Sequence, residues 1–252
     1  MSAPATLRLL CLPYSGASAM FYHRWRKRLP EWLLVQPLEL PGRGLRMDEP
    51  LQRNLNALIN QLADEIALDL TAPYALFGHS LGGLLAFELV HALKARGLPE
   101  PLCVLVSATA GPARRDVSEY REAKTDAELI GKLRSLQGTP EDALANQELL
   151  DLMLPILRAD FLVAGSYQYA ERAPLQAPIH VFGGKDDSIS VDELLDWQCE
   201  TASGFSLDMF SGGHFFLQTE EAPLLRCIRR YAEQHLLRHR AQQTRPVPRV
   251  AS

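Results

Sequence analysis

Apolar residues fall along this chain in two alternating patterns. Residues Leu7–Leu12, 33–40, 74–77, 102–107 and 179–182 form short, nearly continuous apolar runs, the pattern of strands buried on both faces. Between the first four, residues 20–29, 51–70 and Leu81–Ala95 repeat apolar positions at helical spacing. Arg96-Gly97 gives the last of these a basic end and a glycine stop. Strand, helix and strand repeated in this way predict an α/β fold, a mostly parallel sheet with helices on both faces.

The rhythm breaks between about residues 111 and 173, which are helical in pattern, charged at first and strongly amphipathic over 149–169. The stretch is too long and too patterned for a loop. It predicts a helical insertion, a lid over the C-terminal edge of the sheet. The sheet then resumes at 179–182, followed by a helix at 191–201, a last strand at Phe205–Phe210 and a last helix at 223–239. Residues 1–241 are expected to form a single domain. The segment 242–252, bearing Pro and Arg with little apolar content, is expected to be disordered.

The bulk numbers fit this picture and exclude several classes. The 252 residues can bury a large core without disulfides or metals. A net charge of -4 gives no nucleic-acid surface. The basic cluster Arg24, Arg26, Lys27 and Arg28 follows Phe21, Tyr22 and Trp25, and reads as the solvated side of a helix whose aromatic side is buried, with a docking patch for an acidic partner as the alternative. Four cysteines lie far apart with no CxxC pair. Cys11 and Cys103 sit in apolar runs, as core thiols of a reducing compartment do. No apolar run approaches the roughly 18 residues needed to span a bilayer, and the N-terminus lacks a signal-peptide pattern. The expectation is a cytoplasmic protein with no membrane or nucleic-acid partner.

The chemistry centres on Gly78-His79-Ser80-Leu81-Gly82. It follows an apolar strand and precedes an amphipathic helix, the context in which G-x-S-x-G becomes a sharp turn presenting a nucleophilic serine. The turn needs small neighbours, supplied by Gly78, Gly82 and Gly83. Its position at a helix N-terminus favours developing negative charge.

A serine hydroxyl needs a base, and seven histidines are available. His79 lies inside the turn, His91 and His23 in helices, and His180 in a strand. His235 and His239 sit at i, i+4 on the last helix, where a solvated face is expected and no third metal ligand is evident. His214 differs: it lies in the glycine loop Ser211–Phe215, after the last strand and C-terminal to the serine. The orienting acid is expected just after the strand at 179–182, where Asp186 and Asp187 compete. The pattern Gly-x-x-Asp-x-x-Ile selects Asp186 and leaves Asp187 as a turn or capping residue. An acid after the earlier strand is disfavoured, since no carboxylate follows Ser107 until Asp116. The oxyanion donors are expected to be the backbone N–H groups of Leu81 and, in the loop after the first strand, Ser15.

Taken together these segments resemble the type II thioesterases, the stand-alone editing enzymes of non-ribosomal peptide and polyketide assembly lines. The resemblance runs from about residue 7 to 238. Leu12-Pro13-Tyr14-Ser15-Gly16 is similar to the family's Phe-Pro-Tyr/His-Ala-Gly loop, with Ser15 in place of alanine and Ala17 in place of a glycine. Leu40-Pro41-Gly42-Arg43, followed by Arg46, Glu49 and Pro50, resembles its Leu-Pro-Gly-Arg segment. Leu157-Arg158-Ala159-Asp160 and Tyr167 look like its lid helix, and Gly212-Gly213-His214-Phe215-Phe216 its histidine loop. Leu81 stands where methionine is common.

The resemblance implies an α/β-hydrolase fold, a mobile lid over the acyl pocket, and a serine hydrolase that uses no cofactor or metal. It implies hydrolysis of aberrant or stalled acyl and aminoacyl groups from the phosphopantetheine arm of carrier proteins, siderophore biosynthesis being one candidate setting. Rival readings are a carboxylesterase or acyltransferase with the same triad, and a binding module that kept the fold. A monomer is expected, since no long exposed apolar stripe remains once the core is assigned.

Overall fold

The computed structural model describes residues 6–70, 73–136 and 138–244. Six strands form one sheet among these residues: β1 (Leu7–Leu12), β2 (Leu33–Pro37), β3 (Tyr74–His79), β4 (Val104–Ser107), β5 (Ile179–Gly184) and β6 (Phe205–Phe210). Their order is β2-β1-β3-β4-β5-β6 and every adjacent pair is parallel. From β1 the chain steps outward to β2, then returns to place β3 on the other side. The order therefore reverses between β1 and β3, where a crevice opens beyond the C-terminal strand ends.

Helices cover both faces. They are α1 (Met20–His23), α2 (Leu55–Ala67), α3 (Leu81–Ala95), α4 (Asp126–Leu136), α5 (Glu141–Leu144), α6 (Gln147–Gly165), α7 (Val191–Leu195), α8 (Phe216–Thr219) and α9 (Glu221–Gln243). Because strand side chains alternate, Leu10, Leu12, Leu76, Val104 and Val106 pack under α2 and α3. Leu9, Cys11, Phe77, Cys103 and Leu105 pack under α1 and α9. Both thiols expected in the core are there, fully buried.

Local chemistry sets the element boundaries. β2 stops at Pro37, short of the expected residue 40, and lies at the sheet edge where a residue without N–H is tolerated. α2 begins four residues later than its pattern suggests, because Asn54 Oδ1 accepts the Ala57 N–H and caps it there. Gly97, at φ +75°, ends α3 with its N–H on Lys94 O. α9 runs through Gln243, so Gln242 and Gln243, expected in a disordered tail, are helical. Residues 245–252 of that tail lie outside the described residues.

The basic cluster near the N-terminus is not simply solvated. Arg24 and Arg28 both pair with Glu221, which is buried at the start of α9 and also accepts from Trp25 Nε1 at 3.3 Å. The pairing fastens the N-terminal aromatic cluster to the last helix.

Between β4 and β5 stand α4, α5 and α6, with no strand among the described residues. Leu129, Leu133, Leu144, Leu150, Leu154, Leu157 and Phe161 give these helices a small core of their own. α6 is nevertheless tied to the body. Ser166 Oγ, at its end, accepts the Leu55 N–H at 2.8 Å, and its Asp160 reaches the loop after β1.

Candidate active site

Ser80 joins β3 to α3 with φ 53° and ψ -119°, a backbone conformation that few non-glycine residues hold without support. Its N–H donates to Ser107 O at 2.7 Å, and its carbonyl accepts the Gly83 N–H at 3.0 Å. The tightness of the turn explains its glycines. A Cβ on Gly78 would sit 1.9 Å from Gly82 O, and one on Gly82 would sit 2.3 Å from Leu12 O. A side chain at either position would push strand and helix apart.

His214 Nε2 lies 3.0 Å from Ser80 Oγ, and His214 Nδ1 lies 2.9 Å from Asp187 Oδ2. The acid beside the histidine is therefore Asp187, where the sequence pattern favoured Asp186. The reason lies in the length of β5. It runs two residues beyond the expected Phe182, and Lys185 N still bonds to Phe210 O. The Asp186 N–H is then spent on Gly212 O, leaving its side chain exposed, and the turn from Gly184 swings Asp187 inward. The Asp187 side chain is 2% exposed. Gly184 lets the acid and histidine loops approach: a Cβ there would stand 2.5 Å from Gly213 O.

Burial opposes ionisation of Asp187, but the hydrogen bond and charge of His214 outweigh it, aided by the Ile189 and Ser188 N–H groups. The carboxyl is held below the usual aspartate range. Ionised, it accepts the Nδ1–H and leaves Nε2 free to accept from the serine.

Ser15 and Leu81 line the cavity beside Ser80 and His214. Gly16 N–H is occupied by Asp160 Oδ2 at 2.8 Å. Among the described residues the neighbouring Ser15 N–H has no protein acceptor, which suits a group kept for a ligand oxygen. The cavity measures about 220 Å³ and extends under the helical insertion, past Leu133, Leu136, Leu157, Phe161 and Ala164. The walls are suited to an apolar chain attached to a carbonyl at Ser80.

A family model described as a thioesterase domain matches residues 7–231. The chain belongs to the thioesterase family. Linear gramicidin dehydrogenase LgrE of Brevibacillus parabrevis is 36% identical to it, over 95% of this chain and 93% of the relative. Gramicidin S biosynthesis protein GrsT of Aneurinibacillus migulanus is 37% identical over 86% and 85%. Among solved structures, the type II thioesterase BorB from the borrelidin biosynthetic cluster superposes with a TM-score of 0.82. It is 35% identical, with 91% of this chain and 94% of that one covered. The first of these names speaks of redox chemistry, whereas a serine, a histidine and a carboxylate in line are the apparatus of acyl transfer. The protein is a serine-based thioester hydrolase of the α/β-hydrolase type.

In this thioesterase the structure joins two segments that the sequence kept apart. Arg43, after Leu-Pro-Gly, forks onto Asp160 of α6, with Nη1–Oδ2 at 2.7 Å and Nη2–Oδ1 at 2.6 Å. Both side chains are almost fully buried. Arg43 Nη1 also donates to Ala17 O at 3.3 Å. With Asp160 holding Gly16 N–H, the pair grips the loop just after Ser15. Sequence reasoning noted both residues but gave them no task. A carboxylate between Ala159 and Phe161 on an apolar helix face was the available signal, since a buried charge needs a partner.

The other histidines do different work. His79 is buried in contact with Ser107 Oγ at 2.9 Å, and its ring lies in a T-shaped arrangement with that of His214, centroids 5.3 Å apart. His235, expected on a solvated face, is buried and shares a 2.8 Å hydrogen bond with His180. Among the described residues no cluster of ligating side chains could hold a metal ion, and no helix is long and apolar enough to cross a membrane.

Proposed function

We propose that this thioesterase hydrolyses aberrant or stalled acyl and aminoacyl groups from the phosphopantetheine arm of carrier proteins in non-ribosomal peptide or polyketide synthesis. The supporting observation is the contact chain from Asp187 through His214 to Ser80, at the mouth of an apolar cavity roofed by α4 and α6. The family match and the BorB likeness add to it.

Ser80 Oγ attacks the thioester carbonyl as His214 Nε2 takes its proton. Asp187 fixes the imidazole tautomer and stabilises the imidazolium. The oxyanion develops toward the N–H of Leu81, at the N-terminus of α3, and that of Ser15, in the loop after β1. The pantetheine sulfur leaves with the proton returned by His214. Water, deprotonated by His214, then attacks the acyl-enzyme and releases the free acid. A thiol, with pKa about 8.5, leaves more readily than an alcohol, so the site need not distort its substrate. The carrier protein is the macromolecular partner of this reading, and the enzyme acts as a monomer in the cytoplasm. Its four cysteines, all free thiols, fit a reducing compartment.

The test is turnover of acyl-loaded carrier protein against oxygen esters of the same acids. A preference of at least about tenfold in kcat/KM for the carrier thioester is expected. Rapid cleavage of free esters with none of the loaded carrier would replace this reading with a carboxylesterase.

A further inference from the structure

The cavity beside Ser80 carries a charge for which the hydrolytic steps have no use. Arg115 follows the turn Pro112–Arg114 and lines the cavity together with Ser80 and His214. Its Nη1 donates to Thr109 Oγ1. Thr109 is itself buried, and a Cβ on Gly83, in the first turn of α3, would come within 2.7 Å of its γ-methyl. The guanidinium is thus held beside the helix that starts at the nucleophile, in the same cavity as Ser80 and His214.

Among the described residues no carboxylate pairs with it. Other buried or half-buried arginines meet one: Arg8 meets Asp69, Arg43 Asp160, Arg46 Glu49, Arg158 Asp126 and Arg172 Glu88. Arg115 takes part in none of the ion pairs among the described residues. Burial draws its pKa below the ordinary arginine value, and the groups that oppose this are the hydroxyls of Tyr120 and Tyr167. It stays charged at neutral pH. The remaining charged side chains around the cavity are committed elsewhere. Lys132 pairs with Glu119 at 3.0 Å over the Tyr120 ring. Asp116 holds the Ser118 N–H at 2.8 Å, and Glu193 holds the Ser190 N–H at 2.8 Å. A half-buried guanidinium without a paired carboxylate has hydrogen-bond donors to spare, and a ligand carboxylate would meet them with charge-assisted, bidentate hydrogen bonds.

We propose that Arg115 receives a carboxylate at the far end of the acyl chain, so that the preferred substrates are mono-thioesters of dicarboxylic acids. The near carbonyl meets Ser80, the methylenes run along the apolar walls, and the free carboxylate reaches the guanidinium. The same cation disfavours acyl groups that end in an ammonium. This rests on Ser80 being the nucleophile of a thioesterase, and it adds a substrate class to that reading.

The experiment measures kcat/KM on pantetheine thioesters of succinate, glutarate and adipate against butanoate, pentanoate and hexanoate. The best dicarboxylic chain is expected to exceed the neutral chain of equal carbon number by about tenfold or more. Arg115→Met should remove that advantage while neutral chains keep their rate within about threefold, which also shows that the variant folds. Arg115→Lys should restore part of it. Equal preference for charged and neutral chains, unchanged by Arg115→Met, would overturn the proposal. Phosphopantetheine thioesters form a second arm. If Arg115→Met weakens only these, whatever their acyl group, the guanidinium holds the arm's phosphate and the proposal fails. Turnover of no thioester of either kind would instead defeat the thioesterase reading beneath it.

Discussion

In the proposed mechanism the Ser80 hydroxyl has ordinary reactivity until His214 takes its proton, and His214 depends on the tautomer and orientation that contact with Asp187 imposes. That hierarchy ranks the substitutions. Asp187→Asn keeps the shape but presents an amide that can hold the wrong tautomer, and kcat should fall by about 10³–10⁴-fold. Asp186→Asn changes an exposed side chain and should leave kcat within about twofold. Steady-state kinetics on one acyl thioester decide the pair, and the reverse ranking would move the acid back to Asp186. That Ser80, His214 and the loop after β5 would meet could be read from sequence, because motif, chain order and strand ends constrain them. The choice between two adjacent aspartates could not, since it depends on where strand pairing stops.

At the scale of elements, most strands and helices announce themselves by period, and the boundaries shift where a single residue intervenes: Asn54 capping α2, Pro37 ending β2. What periodicity cannot carry is a contact between distant segments. Arg43 and Asp160 stand 117 positions apart and meet in the core. Breaking one member leaves the other buried and unpaired, a loss of about 3–5 kcal/mol. It also frees the loop that carries Ser15. Asp160→Asn should therefore lower the denaturation midpoint and, with Ser15 N–H as the proposed oxyanion donor, reduce kcat more than it raises KM, because such a donor acts mainly in the transition state. Thermal melting and a full kinetic split read both effects. Loss of stability with kcat untouched would make the pair a structural clamp only.

Over the whole molecule, burial makes several histidines harder to protonate. His180 is pushed down to about 3 by desolvation and then by the neighbouring His235. His235 falls to about 4, by burial first and then by Arg238. Burial first, then Arg172, takes His91 to about 4, and burial holds His79 well below its ordinary value. In the unfolded chain each would titrate near 6.5. Below that pH the unfolded state binds protons that the folded state refuses, so stability should fall as pH drops from about 6.5 toward 4. Denaturant unfolding at pH 7 and pH 5 measures the difference. A variant with His180 and His235 replaced by neutral residues should show a smaller difference than the parent, and equal stability at the two pH values in the parent would contradict these burial effects.

The proposed reaction turns on a single covalent event at Ser80. Rapid mixing of the enzyme with acyl-loaded carrier protein, followed by intact mass and peptide mapping, observes it directly. The expected result is a transient mass increase equal to one acyl group, located on Ser80, with Ser80→Ala showing neither the adduct nor turnover while melting as the parent does. Turnover by Ser80→Ala at the parent's rate, or an acyl group found on another residue, would contradict the nucleophile assigned here.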